Sequence, residues 1–288
     1  MYKMNETIFI RPHFGIANGL CNQLSFLINA LLYASKNKIK YVVVDNFIKD
    51  NYTLSSCPYS EIIELGETNL FLQKYNVVLR DKNFTDIESK FMEKEFLKIV
   101  PDIQTSVCDS WIDSSQFYDI YNNIVFKPWF YNISNNLITE IKQKLGNDIP
   151  INIIHLRIED DAVNHWSKLS NINADLYKEL LEAKYLYLIN KYINKHAFTI
   201  VMTYNKNNKI IKFLQNNGYY FFTKKKDLSI GRECNALQDL LLARKMNNFF
   251  IGAAGSTFSH FINNSANFKK LILIDLNKID KPAIVSNK

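Results

Sequence analysis

Short apolar runs alternate along the chain with longer segments whose apolar residues recur every three to four positions. That is the pattern of strands separated by amphipathic helices. Residues 7–12 (TIFIRP) read as a strand ended by Pro12, and 13–22 (HFGIANGLCN) as a Gly/Asn loop. Residues 23–38 carry Leu24, Leu27, Ile28, Leu31 and Leu32 at helical spacing, and 40–45 (KYVVVD) form a buried strand. Strand–loop–helix–strand is the βαβ order of a parallel sheet. The stretch 46–135 has no clean period. VVLRD (77–81) reads as a strand and DIESKFMEKEFLKIV (86–100) as a helix, within what is otherwise an irregular insertion. A helix over 134–150, stopped near Gly146 and followed by Pro150, closes the first half.

The alternation then resumes more regularly. Strands are predicted at 151–158, 198–204, 219–223, 248–255 and 269–275, with helices at 174–193, 208–217, 231–246 and 256–266. Five strands with intervening helices make a doubly wound sheet. A chain of 288 residues exceeds one ordinary domain. The expectation is therefore two α/β, Rossmann-like domains, residues 1–148 with the insertion near 46–135, and residues 149–288.

In such sheets ligands bind beyond the carboxyl ends of the strands. Three chemically unusual segments fall there: 13–22, 155–161 and 252–259. In the first, Gly15 and Gly19 allow close backbone approach, and Asn18 and Asn22 offer amide donors; a plain strand–helix turn has the same composition. No G-x-G-x-x-G or G-K-[ST] is present. In the second, INIIHLRIEDD, Arg157 presents a planar fork suited to two phosphate oxygens. Alternatively Arg157 serves a structural ion pair with Glu159 or Asp161. His155 shares its strand face, as a pocket-lining group or as a satisfied core histidine. Glu159, Asp160 and Asp161 could also suggest Mg²⁺, but no D-x-D motif accompanies them, and no metal is expected. In the third, Gly252 and Gly255 end a strand and Ser256, Thr257 and Ser259 open a helix; this is an anion site or an ordinary cap. Asp239 lies between Ala236 and Ala243 on one helical face, available to N–H donors of a base or simply half-exposed.

Composition narrows the classes. With 47% hydrophobic and 14% aromatic residues, the chain has material for real cores. The net charge of +7 comes from scattered lysines. The one tight run, Lys224–Lys226, reads as a solvated loop, and no basic groove interleaved with aromatics suggests nucleic acid. The four cysteines, Cys21, Cys57, Cys108 and Cys234, show no C-x-x-C spacing and read as reduced, mostly buried thiols. No signal peptide and no transmembrane stretch is visible, so a cytoplasmic protein is expected.

Taken in order, GLCNQLSFLINALLYA, HLRIEDD and GRECNALQDLLLARKMNNFFIGAAGSTFSHFI resemble the GT-B fucosyltransferase superfamily. That group includes the protein O-fucosyltransferases and the α1,6- and α1,2-fucosyltransferases. The resemblance covers the N-terminal ~40 residues and most of 150–275, and it implies two Rossmann-like domains facing across a cleft. It implies GDP-fucose as donor and inverting transfer to a glycan, glycoconjugate or protein hydroxyl without an obligatory metal. Carried across, Arg157 holds the β-phosphate, Gly19 and Asn22 approach the diphosphate, and His155 and Asp239 contact guanine. Ser256, Thr257 and Phe258 form the phosphate loop, and Glu159, Asp160 and Asp161 are candidates for a general base. The absence of a signal, an anchor and a disulfide pattern favours a cytoplasmic glycan or glycoconjugate acceptor. The rival expectations are a nucleotide- or glycan-binding module without turnover, a metal-dependent phosphohydrolase using residues 159–161, and a nucleic-acid binder.

Overall fold

The predicted alternation takes shape as two α/β units. The computed structural model describes residues 7–10, 19–50, 52–81 and 115–287, with the backbone alone for 7–10. The helix expected at 86–100, together with Pro12, Gly15, Asn18 and Cys108, lies outside the described residues.

One unit comprises the described residues up to Asn132 together with Asp227–Gln238. Its elements are β1 (Thr7–Ile10), α1 (Leu20–Lys36), β2 (Tyr41–Val44), β3 (Asn46–Asp50), β4 (Ser55–Pro58), α2 (Leu65–Leu72), β5 (Val78–Asp81) and α3 (Ser115–Asn123). α4 (Pro128–Leu145) starts here and continues into the second unit. β1, β2 and β5 pair in that order, all parallel. The apolar stripe of α1 is buried as its spacing requires, with Leu24, Leu27, Ile28 and Leu31 fully shielded, and α1 packs on α3 through Phe117, Ile120 and Tyr121. The expected insertion contains an antiparallel hairpin, β3–β4. Gln23 of α1 ties that hairpin down. Its amide donates to the Ile48 carbonyl at 3.0 Å and accepts from the Ile48 N–H at 2.9 Å, a side chain acting as a neighbouring strand.

The second unit comprises Ile133–Lys226 and Asp239–Lys288. Its elements are β6 (Ile151–His155), α5 (Asp160–Leu169), α6 (Ala174–Tyr192), β7 (Phe198–Met202), α7 (Lys209–Asn216), β8 (Phe221–Phe222), α8 (Arg232–Ala243), β9 (Phe249–Ala254), α9 (Thr257–Ser265), β10 (Lys270–Asp275) and β11 (Ile284–Asn287). The division between units runs through α8. The strand order is β11-β10-β9-β6-β7-β8, parallel except for β11. From the central β6 the chain builds outward first through β7 and β8, and then on the other side through β9 and β10. The crevice between β6 and β9 is the point where the order reverses. β6 is buried throughout because strands and helices cover it on every side, and Ile154, Leu156, Tyr185, Val201 and Ile251 share its core.

Several elements depart from the expected pattern: α4 starts at Pro128 rather than at 134, and α2 and α3 lie within the stretch expected to be irregular. β6 stops at His155 rather than at 158, and the next residues turn into α5, a helix the apolar period does not announce. α5 buries only Ala162, Val163 and Ser167, so its periodic signal is faint; Asp160 and Asp161 instead favour its start through the helix dipole. β11 adds an exposed antiparallel edge beyond the last predicted strand.

Candidate functional site

The carboxyl end of β6 gathers the chemistry of the second unit. Beyond His155 the chain passes through buried Leu156 and Ile158, which point Arg157 away from the core between them. The backbone is held by Tyr185 of α6, whose hydroxyl accepts from the Arg157 N–H at 3.2 Å and donates to the His155 carbonyl at 2.8 Å. The guanidinium forks onto two acids, with Nη1 to Glu159 and Nη2 to Asp161, each at 3.0 Å. Burial works against the charge of Arg157, but Glu159 and then Asp161 outweigh it and raise its pKa further. The two acids differ. The Glu159 side chain is 17% exposed and also accepts from the Tyr204 N–H at 3.4 Å, whereas the Asp161 side chain is 61% exposed. Arg157 therefore makes the structural ion pairs considered above, and does so at the strand end where a ligand would meet it.

The neighbouring strand end supplies the second part. β9 runs parallel to β6, with Ile154 opposite Ile251. After β9 the chain turns at Gly255, whose φ of +86° is open to glycine at little cost; a Cβ there would come within 2.9 Å of the Trp166 ring of α5. Ser256 caps α9, its side chain accepting from the Ser259 N–H. Thr257 is exposed and opens the helix. The first-turn N–H groups of Thr257 and Phe258 have no partner within the helix, the usual condition for anion binding. Ser259 joins the two strand ends. Its hydroxyl lies 2.7 Å from His155 Nδ1 and accepts from the Ala253 N–H at 3.0 Å. Gly252 leaves room for it, since a Cβ there would sit 2.8 Å from Ser259 Oγ. The Phe258 ring packs 4.9 Å from the imidazole. Burial, and then the nearby Arg157 charge, pull the His155 pKa down to about 3, so the ring is neutral at ordinary pH.

Asp239, on α8, is already engaged. Lys224 meets its Oδ1 at 2.7 Å. Burial raises its pKa, against the opposing pull of Lys224, Lys226 and Lys206. This corrects the reading of Lys224–Lys226 as a solvated loop. Lys225 is exposed, but the Lys224 side chain is only 10% exposed, drawn in by that acid.

Gly19 and Asn22 belong to the first unit. Gly19 is extended at the start of α1, and its carbonyl accepts from the N–H groups of Asn22 at 3.0 Å and Gln23 at 3.1 Å. The start of α1 already carries a carboxylate, because Glu233 of α8 accepts from the Leu20 N–H at 2.6 Å. Glu233 is 3% exposed, and burial raises its pKa. Glu233 gives no local signal in the sequence, because its partner lies 213 residues away. Glu233→Ala is expected to cost about 2 kcal/mol, as for a lost charge-assisted hydrogen bond. A melting midpoint lowered by roughly 4–8 °C would register it; an unchanged midpoint would show that the cap contributes nothing. The site residues thus fall into three groups: His155, Arg157, Glu159 and Asp161 with Ser256, Thr257 and Phe258; Asp239 with its lysines; and Gly19 with Asn22.

Among the described residues no group of three His, Cys, Asp or Glu side chains could hold a metal ion, and no helix is long and apolar enough to cross a membrane. No family model and no curated protein sequence matches the chain. Solved structures do. The α1,6-fucosyltransferase NodZ soaked with GDP-fucose matches with a TM-score of 0.62 at 14% identity, over 99% of this chain and 100% of that one. NodZ from Bradyrhizobium gives 0.60, again at 14% identity and over the same shares of both chains. POFUT1 in complex with GDP-fucose gives 0.56 at 14% identity, over 91% and 94%. The chain has the GT-B fold. In the GT-B fold as built here, the strand order of the second unit places its switch point between β6 and β9, where Arg157 and the Gly255–Ser259 turn lie.

Proposed function

We propose that the protein is an inverting, metal-independent glycosyltransferase that moves fucose, or a closely related sugar, from GDP-fucose to a hydroxyl of a glycan, glycoconjugate or protein. The carrying observation is the pairing of a forked cation with a helix start on adjacent strand ends at the switch point of the second unit. The fold shared with fucosyltransferases that were solved with GDP-fucose supports the same choice.

In this reading residues 149–288 bind the donor and residues 1–148 present the acceptor side. Breaking the glycosidic bond places negative charge on the β-phosphate oxygen. Arg157 takes that charge bidentately, and the first-turn N–H groups of Thr257 and Phe258, with the Ser256 hydroxyl nearby, hold the phosphates. The guanidinium must exchange a carboxylate for the diphosphate. Asp161, the more exposed of the two acids, is the one that yields, and Glu159 remains. The released carboxylate, or Glu159, is then placed to take the acceptor proton. Neutral His155, fixed by Ser259, and Asp239, paired with Lys224, face the base, and Gly19 and Asn22 approach the diphosphate. No resident cofactor is required, and the acceptor hydroxyl is met in solution in the cytoplasm.

A thermal-shift panel of GDP-, UDP-, ADP- and CDP-sugars tests the donor. A ligand at about a hundred times its Kd adds about 2.7 kcal/mol, and GDP-fucose is expected to give the largest rise in midpoint. A preference for a UDP-sugar overturns the donor assignment. Incubation with GDP-fucose is expected to release free GDP. Tight GDP binding with neither transfer nor slow hydrolysis would mark a binding module instead.

A further inference from the structure

The first unit contains a cavity of about 410 Å³ that the nucleotide reading does not use. Its lining includes Lys49, Cys57, Glu61, Lys127, Trp129 and Cys234. The volume is that of a small-molecule site.

Trp129 is its most distinctive wall. The indole stacks on the buried Phe130 ring, with centroids 3.6 Å apart and planes 26° apart, yet it remains 39% exposed. A large aromatic plane is thus anchored on the core and left open on the cavity side. Glu61 is the acid of the lining and is exposed to solvent. The Cys57 thiol beneath it is raised to about 11 by burial and then by Glu61, so it stays protonated and hydrogen-bonds the carboxylate. Lys127 is steadied by Glu64 at 2.9 Å. The thiols of Cys57 and Cys234, 4% and 1% exposed, make a weakly polar floor.

These walls select a ligand class. Glu61, together with the Glu64 partner of Lys127, offsets the two ammonium groups, so a phosphate gains no net attraction, and a purely apolar ligand would leave those charges desolvated. A pyranose ring satisfies every wall. Its C–H face, slightly positive, meets the negative face of an indole. Its hydroxyls donate to a carboxylate and accept from ammonium groups. We infer that this cavity is a saccharide site, binding one pyranosyl residue of a glycan between Trp129 and Glu61. That the glycan is the acceptor rests on the transferase reading; that a sugar binds here does not.

Fluorine NMR of the full chain labelled with 5-fluorotryptophan tests it. The chain has three tryptophans, Trp111, Trp129 and Trp166, and Trp129→Phe assigns the relevant line. Methyl α- and β-pyranosides of the gluco, galacto, manno and N-acetylglucosamine series are titrated to about 100 mM, enough to saturate a millimolar site. A saturable shift of the Trp129 line is expected with at least one probe, with the Trp166 line unmoved and the affinity about tenfold weaker in Glu61→Gln. No saturable Trp129 shift with any probe, or a shift that Glu61→Gln leaves unchanged, overturns the site. Because no nucleotide enters this titration, its failure leaves the donor assignment standing, and failure of the GDP panel leaves the sugar site standing.

Discussion

Arg157→Ala is expected to lower turnover of GDP-fucose by about 10²–10³, the usual cost of removing one group that holds transition-state charge. Most of the GDP-induced thermal stabilisation should go with it. The substitution also leaves Glu159 and Asp161 facing an incoming diphosphate without their cation, so repulsion adds to the loss. Two companions separate chemistry from structure. Arg157→Lys keeps the charge and loses the fork, and should recover only part of the rate. Arg157→Ala with Asp161→Asn removes one of the stranded acids, and should restore stability without restoring turnover. If Arg157→Ala turns over GDP-fucose like the parent protein, the proposed mechanism is wrong at its centre.

The second large effect is acid lability at His155. Its folded pKa is about 3, against an ordinary value near 6.5. Between those values the unfolded chain takes up a proton that the folded chain refuses. The stability that depends on neutral His155 is therefore complete above about pH 6.5 and declines by about 1.4 kcal/mol per pH unit as the pH falls toward 3. At pH 4 the loss amounts to about 3 kcal/mol. Glu233 and Asp239 oppose this, since carboxyls with raised pKa values bind protons more readily in the folded state. The clean measurement is a difference: urea denaturation of the parent and of His155→Gln from pH 7.5 to 4. The gap between the two should narrow steadily with acidification, and a constant gap would mean that His155 takes up its proton in the folded protein.

How much of this was legible depended on the range of the interaction that decides each feature. The burial of Leu24, Leu27, Ile28 and Leu31, and the covered β6, followed from local periodicity, because one face or one run must be hidden whatever surrounds it. The Ser256 cap and the Gly255 turn were readable for the same reason, as both act within a few residues. Features set by distant partners were not. α1 starts at Leu20, three residues before the expected start, with Glu233 supplying its N-terminal acceptor from far along the chain. Lys224 turns inward because Asp239 lies across from it. α5 was missed because its first turn is stabilised by charge and little apolar surface, so the hydrophobic pattern is nearly silent there. Glu159 could be named as an acid near Arg157, but not separated from Asp161; their difference lies in the Tyr204 contact from the next strand end.

The Tyr185 hydroxyl has a bearing on how this loop can change. It takes the place of a pairing strand at the end of β6, anchoring the backbone on both sides of Leu156 from a helix 28 residues downstream. The direction in which the guanidinium leaves the sheet is thus set by a phenol in the core. The residues that follow, from Ile158 onward, are released from that duty. Substitutions there can retune which anion is tolerated beside the fork while its point of departure stays where it is.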